Sequence, residues 1–119
     1  MDRKAKGKDA EQKAEHYLQS MGLKTLKRNA QCRLGEIDLI MRDGEHLVFI
    51  EVRQRSGSGF GGAAQSVDLR KQQKLIRTAR FLLARNPGWS ALPCRFDVIA
   101  YESDSAERPP IWYKDAFRP

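Results

Sequence analysis

The sequence predicts an α/β fold: a central mixed β-sheet flanked by α-helices, with elements in the order α-β-β-β-α-β. Three observations predict it. Two strongly strand-like runs, 36–42 and 45–53, flank Asp43-Gly44, a dipeptide that favours a two-residue hairpin turn. A helical pattern over 67–85 separates the second run from another strand at 94–101, and a strand–helix–strand order joins parallel neighbours. Val48, Phe49, Ile50 and Val52 make the 45–53 run almost continuously apolar, as in a strand buried on both faces, which places it at the centre of the sheet.

Each element has its own signal. Ala10, Ala14, Tyr17, Leu18 and Met21 recur at three- and four-residue steps and predict a helix over 8–21, with Gly22 as its stop. Residues 23–28 form a weaker strand. Gln54 to Gln65 contains four glycines and two serines and predicts a loop that is mobile without a ligand. In the second helix Leu75, Ile76, Ala79, Leu82 and Leu83 make one apolar stripe; Asp68 or Ser66 caps its start and Asn86-Pro87-Gly88 ends it. Residues 111–113 predict a short edge strand. Residues 1–119 read as one domain, with disorder expected over 1–6 and a C-terminal extension over 102–119.

The chain has 119 residues, 22 Lys+Arg and 15 Asp+Glu, a formal charge of +7. No window offers the roughly 20 apolar residues of a membrane span, and the charged start Met1-Asp2-Arg3-Lys4 lacks the apolar core of a secretory signal, so a cytoplasmic location is expected. Cys32 and Cys94 lack metal-knuckle spacing and read as reduced thiols. The charge is unevenly placed. Residues 23–35 carry Lys24, Lys27, Arg28 and Arg33 and no acid; residues 52–86 carry eight Lys/Arg and one acid, Asp68. Between them, residues 36–51 hold Glu36, Asp38, Asp43, Glu45 and Glu51 against Arg42 alone. Basic flanks attract a polyanion through counterion release, and an acidic island inside that field repels phosphate unless a cation sits in it.

The hairpin turn puts the acids together. A turn at Asp43-Gly44 pairs Arg42 with Glu45, Ile40 with Leu47, Asp38 with Phe49 and Glu36 with Glu51. With side chains alternating at period two, Glu36, Asp38, Glu51 and Arg53 share a face, and Asp38 and Glu51 form a diagonal pair roughly 5–8 Å apart. Three carboxylates beside a buried strand need compensation. A divalent cation with oxygen ligands supplies it; solvation and ion pairs with Arg53 are the simpler alternative. Glu51 and Arg53 end the most apolar run in the chain, where charges are costly to bury without a purpose.

Gly35-Glu36-Ile37-Asp38-Leu39-Ile40, Val48-Phe49-Ile50-Glu51-Val52-Arg53, the Gly-rich loop and Lys71-Gln72 resemble the YraN family of small bacterial proteins. The resemblance extends back through Asn29, Leu18, Tyr17, Ala14 and Glu11 to Gly7, and forward to Arg95-Phe96-Asp97-Val98. That family resembles restriction-endonuclease-like nucleases, including Holliday-junction resolvases. The resemblance implies a restriction-endonuclease-like core, DNA as partner and an Asp…Glu-x-Lys signature, with Asp38 and Glu51 in the acidic positions. It also implies Mg²⁺ or Mn²⁺ held by Asp38, Glu51 and the Val52 carbonyl, with Glu11 and Glu36 as auxiliary carboxylates, and it makes a homodimer an expectation. Arg53 stands where the signature has lysine. Arginine can grip phosphate oxygens with its planar fork but does not deprotonate in proteins. Either a metal-dependent DNA endonuclease with Asp38, Glu51 and Arg53 as catalytic residues, or a non-catalytic nucleic-acid-binding domain or interaction subunit of a DNA-processing assembly, follows from that replacement.

Further candidates for phosphate contact are Arg33 and Arg55, which flank the acidic cluster, and Lys71 and Lys74 on the polar side of the second helix. Gly57, Gly59 and Gly62 spell a dinucleotide-binding pattern, but no carboxylate lies between Asp68 and Asp97 to take a ribose, and no repeated parallel unit accompanies it. His16 and His46 have no partner at ligand spacing; Trp89, Trp112 and Phe117 read as packing residues.

Overall fold

Ala10, Ala14 and Leu18 recur every fourth residue and form one buried stripe along α1 (Arg3–Ser20). The computed structural model describes residues 3–54, 62–102 and 108–119, with backbone alone over 3–7. The helix stops at Gly22, whose φ of +97° suits the residue without a Cβ. There the Gly22 N–H donates to the Gln19 carbonyl and the Leu23 N–H to that of Leu18, at 3.0 and 3.1 Å, a Schellman closure that also buries Leu23 beside Leu18. Met21, expected on the apolar stripe, is exposed because the helix has already ended.

Five strands follow in sheet order equal to chain order: β1 (Lys24–Cys32), β2 (Gly35–Asp43), β3 (His46–Gln54), β4 (Cys94–Tyr101) and β5 (Ile111–Phe117). β3 and β4 pair parallel, and the other neighbours pair antiparallel. The sheet is therefore mixed, with the most apolar strand, β3, at its centre. Between β3 and β4 the chain forms α2 (Leu69–Ala84), capped by Asp68, whose Oδ1 accepts from the Lys71 N–H at 2.9 Å. A one-turn helix, α3 (Pro87–Ser90), follows at the predicted stop, with Pro87 in its first turn.

The helices bury different residues of the sheet. Ala14 and Leu18 of α1 pack with Leu39, Met41, Val48, Ile50 and Ile99. Leu75, Ile76, Ala79 and Leu82 of α2 pack with Ile37, Ile40, Leu47, Phe49, Phe96 and Val98. The alternation of Leu47, Val48, Phe49 and Ile50 between the two cores is the period of an extended strand, and it explains why β3 carries no polar residue between His46 and Glu51.

The hairpin register differs from the expectation. Asp43 pairs with His46 and Arg42 with Leu47, so the turn residues are Gly44-Glu45 and not Asp43-Gly44. Gly44 has φ +59° at the first turn position, as a type II′ turn demands of its glycine. Every cross-strand partner moves by two residues. Because the side-chain period is also two, no residue changes face. The outer strands are longer than their sequences suggest. β1 runs four residues past the predicted end at Arg28, because pairing with β2 overrides its weak, polar pattern. β5 continues to Phe117, tied to β4 through the buried Asp97, which accepts from Trp112 Nε1 and the Asp115 N–H, both at 2.9 Å.

Candidate functional site

The β2–β3 ladder ends at Leu39–Ile50, and one step further the same register sets Asp38 directly opposite Glu51, closer than the diagonal expected. There a side chain replaces the ladder: Asp38 Oδ2 accepts the Val52 N–H at 2.8 Å. The two strands are thus held at the point where they part, and the Asp38 carboxylate is fixed against β3. Glu51 follows Leu47 and Phe49 on the α2 side of β3 and is 6% exposed. A groove of about 410 Å³ opens there, lined by Glu36, Asp38, Glu51, Lys71, Lys74 and Thr78, with Gln31, Cys32, Gly35 and Leu75. Gly35 lets β2 approach α2 this closely, since a Cβ there would meet Thr78 Oγ1 at 2.8 Å.

The electrostatics are those of acids crowded without enough counter-charge. Burial, then a hydrogen bond to Asp38 and its charge, push the Glu51 carboxyl up to about 9, against the milder opposing pull of Lys71 and Arg53. Glu11 reaches the cluster from α1. Its carboxyl is pushed up to about 7 by burial first, then by the Asp38 charge and hydrogen bond and by Glu36. Glu51 therefore holds a proton at neutral pH, and Glu11 is about half-protonated there. Glu51 Oε2 is buried with no hydrogen-bond partner; Lys71 Nζ stands 3.8 Å from it, an ion-pair distance too long for a hydrogen bond.

The sequence-predicted residues divide. Asp38, Glu51, Glu36 and Glu11 come together, as do Lys71 and Lys74 at the groove wall. Val52 supplies the N–H that anchors Asp38. Arg53 is half-buried, close enough to bias Glu51, but it is not among the residues lining the groove, and its Nε is buried without a partner. Arg33 is not among the residues lining the groove, and its guanidinium lies 5.6 Å from the Phe81 ring centre. Arg55 lies outside the described residues. Among those described, no group of three or more His, Cys, Asp or Glu side chains stands arranged to hold a metal ion.

Asn29 is the site residue that strand patterning missed. It sits between the pairs Arg28–Leu39 and Ala30–Ile37, opposite Asp38, with φ +50°. In its hydrogen-bonded orientation its amide donates to Glu11 Oε2 at 2.9 Å and to Glu36 Oε1 at 3.0 Å, bridging carboxylates from α1 and β2. The available signal was an asparagine, the residue most tolerant of the left-handed region after glycine, within a stretch that pairs as a strand. The basic residue beside it, Arg28, is structural: it pairs with the buried Glu15 at 2.8 Å.

A five-stranded mixed sheet with helices on it, its acids meeting where the central strands part, is the architecture of a restriction-endonuclease-like α/β core. Comparison with known proteins places the chain further. Residues 10–101 match the family model described as uncharacterised protein family UPF0102. A UPF0102 protein of Halorhodospira halophila is 50% identical over 117 residues, covering 98% of this chain and 90% of that one. UPF0102 proteins of Nitrosococcus oceani and Pseudomonas syringae pv. syringae are 51% and 47% identical, covering 95% and 97% of this chain and 91% and 94% of theirs. The chain belongs to the UPF0102 family, the YraN-like proteins that its motifs resembled.

Proposed function

We propose that this protein binds DNA across the groove between β2, β3 and α2 and hydrolyses its phosphodiester bonds with a divalent metal ion. The observation that carries the reading is the buried, unpartnered Glu51 Oε2 beside Asp38, at the floor of a groove walled by Lys71 and Lys74. A buried carboxylate oxygen without a partner is costly, and carboxyl groups crowded beside one another are in the condition that a hard cation relieves. Oxygen donors suit Mg²⁺ or Mn²⁺ by chemistry: Asp38, Glu51 and the Val52 carbonyl would hold the ion, with Glu11 and Glu36 as auxiliary carboxylates. The metal would polarise the phosphate and lower the pKa of a bound water.

The chain's own residues supply the rest. Val52 N–H and Asn29 hold the carboxylates in place before any ligand arrives. Lys71, Lys74 and the remaining basic side chains of α2 draw in the polyanion. Arg53 offsets charge at Glu51 and cannot act as a base. That replacement supports a second reading, binding without cleavage.

The test is a panel of duplex, branched and single-stranded nucleic acids incubated with Mg²⁺ or Mn²⁺, beside Asp38→Asn/Glu51→Gln. Metal-dependent cleavage by the wild type and none by the double variant is expected. Mn²⁺ at about 100 times its Kd is expected to stabilise the wild type by about 2.7 kcal/mol and the double variant by far less. Salt-dependent binding of DNA without cleavage by either metal selects the second reading.

A further inference from the structure

Resting on the nuclease reading above, we propose that Lys71 supplies, from helix α2, the ammonium donor to the scissile phosphate that the nuclease signature takes from the position held here by Arg53. Arg53 and Lys71 make opposite use of their surroundings. Arg53 follows Glu51 on the same strand, yet it does not line the groove, and its buried Nε meets no acceptor. Lys71 comes from a different element and lines the groove together with Asp38 and Glu51. Its Nζ is 3.8 Å from Glu51 Oε2, so its charge is held at the cluster while its N–H groups make no hydrogen bond to that oxygen. The side chain keeps 30% of its surface exposed, which leaves the ammonium reachable from solvent and by a ligand in the groove.

The placement is built into the helix start. Asp68 caps α2 by accepting from the backbone N–H of Lys71, which fixes this residue in the first turn. Leu75, one turn on, is buried in the core, so the helix cannot rotate Lys71 away without exposing it. A lysine is a compact point charge with three donors and suits a single phosphate oxygen where a broad guanidinium does not fit. The substrate class follows: a phosphodiester whose charged oxygen lies between Lys71 and the Asp38–Glu51 pair.

The experiment uses the full chain with Lys71→Gln, Lys71→Arg, Asp38→Asn and Lys71→Gln/Asp38→Asn, each checked for a cooperative thermal transition. Two quantities are read: single-turnover cleavage of labelled duplex DNA with Mn²⁺ at saturating protein, and equilibrium binding of the same DNA with Ca²⁺ in place of Mn²⁺. Lys71→Gln is expected to slow cleavage roughly 10²–10³-fold, as for loss of one donor to developing charge, with Lys71→Arg retaining part of the rate. In binding, the Lys71→Gln and Asp38→Asn effects are expected to be non-additive, because both act on one phosphate. Cleavage by Lys71→Gln within about threefold of wild type overturns the assignment and leaves the nuclease reading intact. If the wild type binds but never cleaves, the nuclease reading fails, and non-additive binding still assigns Lys71 to the phosphate at the acids. Additive binding effects, or no DNA binding by the wild type, overturn the assignment too. If Lys71→Gln does not fold, Lys71→Arg and its double with Asp38→Asn decide by the same readings.

Discussion

Glu51 ties stability to pH in a definite direction. Its carboxyl titrates near 4.5 in the unfolded chain and is pushed to about 9 by burial in the folded one. Between those values the folded state holds a proton that the unfolded state has lost. The contribution of this group is therefore complete below about 4.5, falls as pH rises, and is gone above about 9. Glu11, raised to about 7, acts in the same direction over the lower part of that window. Urea midpoints of the metal-free protein are expected to fall from pH about 5 to about 9. Glu51→Gln, which stays neutral, is expected to flatten that fall and to gain most over wild type at the alkaline end. Equal slopes for the two proteins would show that Glu51 titrates normally. Asn29→Ala removes the bridge between Glu11 and Glu36, and a weakened Mn²⁺-induced thermal shift is its expected result.

At the scale of elements, two contacts decide where segments stop and how they attach. Gly22 closes α1 at a φ that a Cβ disfavours, so Gly22→Ala is expected to cost about 1 kcal/mol in urea denaturation. Asp97 fastens β5 to β4. It is 1% exposed and accepts from Arg95 Nε, Trp112 Nε1 and the Asp115 N–H, while Arg95 also reaches Asp43 at 2.7 Å. Removing one side of a buried, hydrogen-bonded ion pair leaves the other uncompensated, and Asp97→Ala is expected to cost about 3–5 kcal/mol. A change in tryptophan fluorescence before the main unfolding transition would report β5 releasing first, since Trp112 loses its acceptor. The same elements show where sequence reading succeeds. α2 was legible because burial of one face imposes a helical period on its residues, and β4 because it is buried on both faces and apolar at most positions. The last four residues of β1 and most of β5 were not, because an outer strand with little buried surface is specified by the partner it pairs with.

Across the whole molecule, the charge of +7 is arranged so that acids line a groove floor and lysines its wall. DNA binding is expected to weaken linearly in log–log plots against salt, and Lys74→Gln to reduce that slope by about one, at equal cost for different sequences. A slope near zero for the wild type would remove the polyanion from the proposal. The described residues include no helix long and apolar enough to cross a membrane.

The sequence by itself determined the class of fold, the central place of β3, and the meeting of Asp38 with Glu51. Each follows from short-range rules: hydrophobic periodicity, turn chemistry and the alternation of strand faces. The strongest test of that statement is the hairpin, where the turn was misplaced and the face of every acid survived, because the error equalled one full side-chain period. Tertiary structure alone decided that Glu11 and Lys71, distant in sequence from the hairpin, reach the same acids. It also decided that Asn29 bridges two of those acids and that Arg53 turns out not to line the groove. Those outcomes depend on how helices seat against the sheet, and the packing of whole buried faces sets that seating more than any local pattern does.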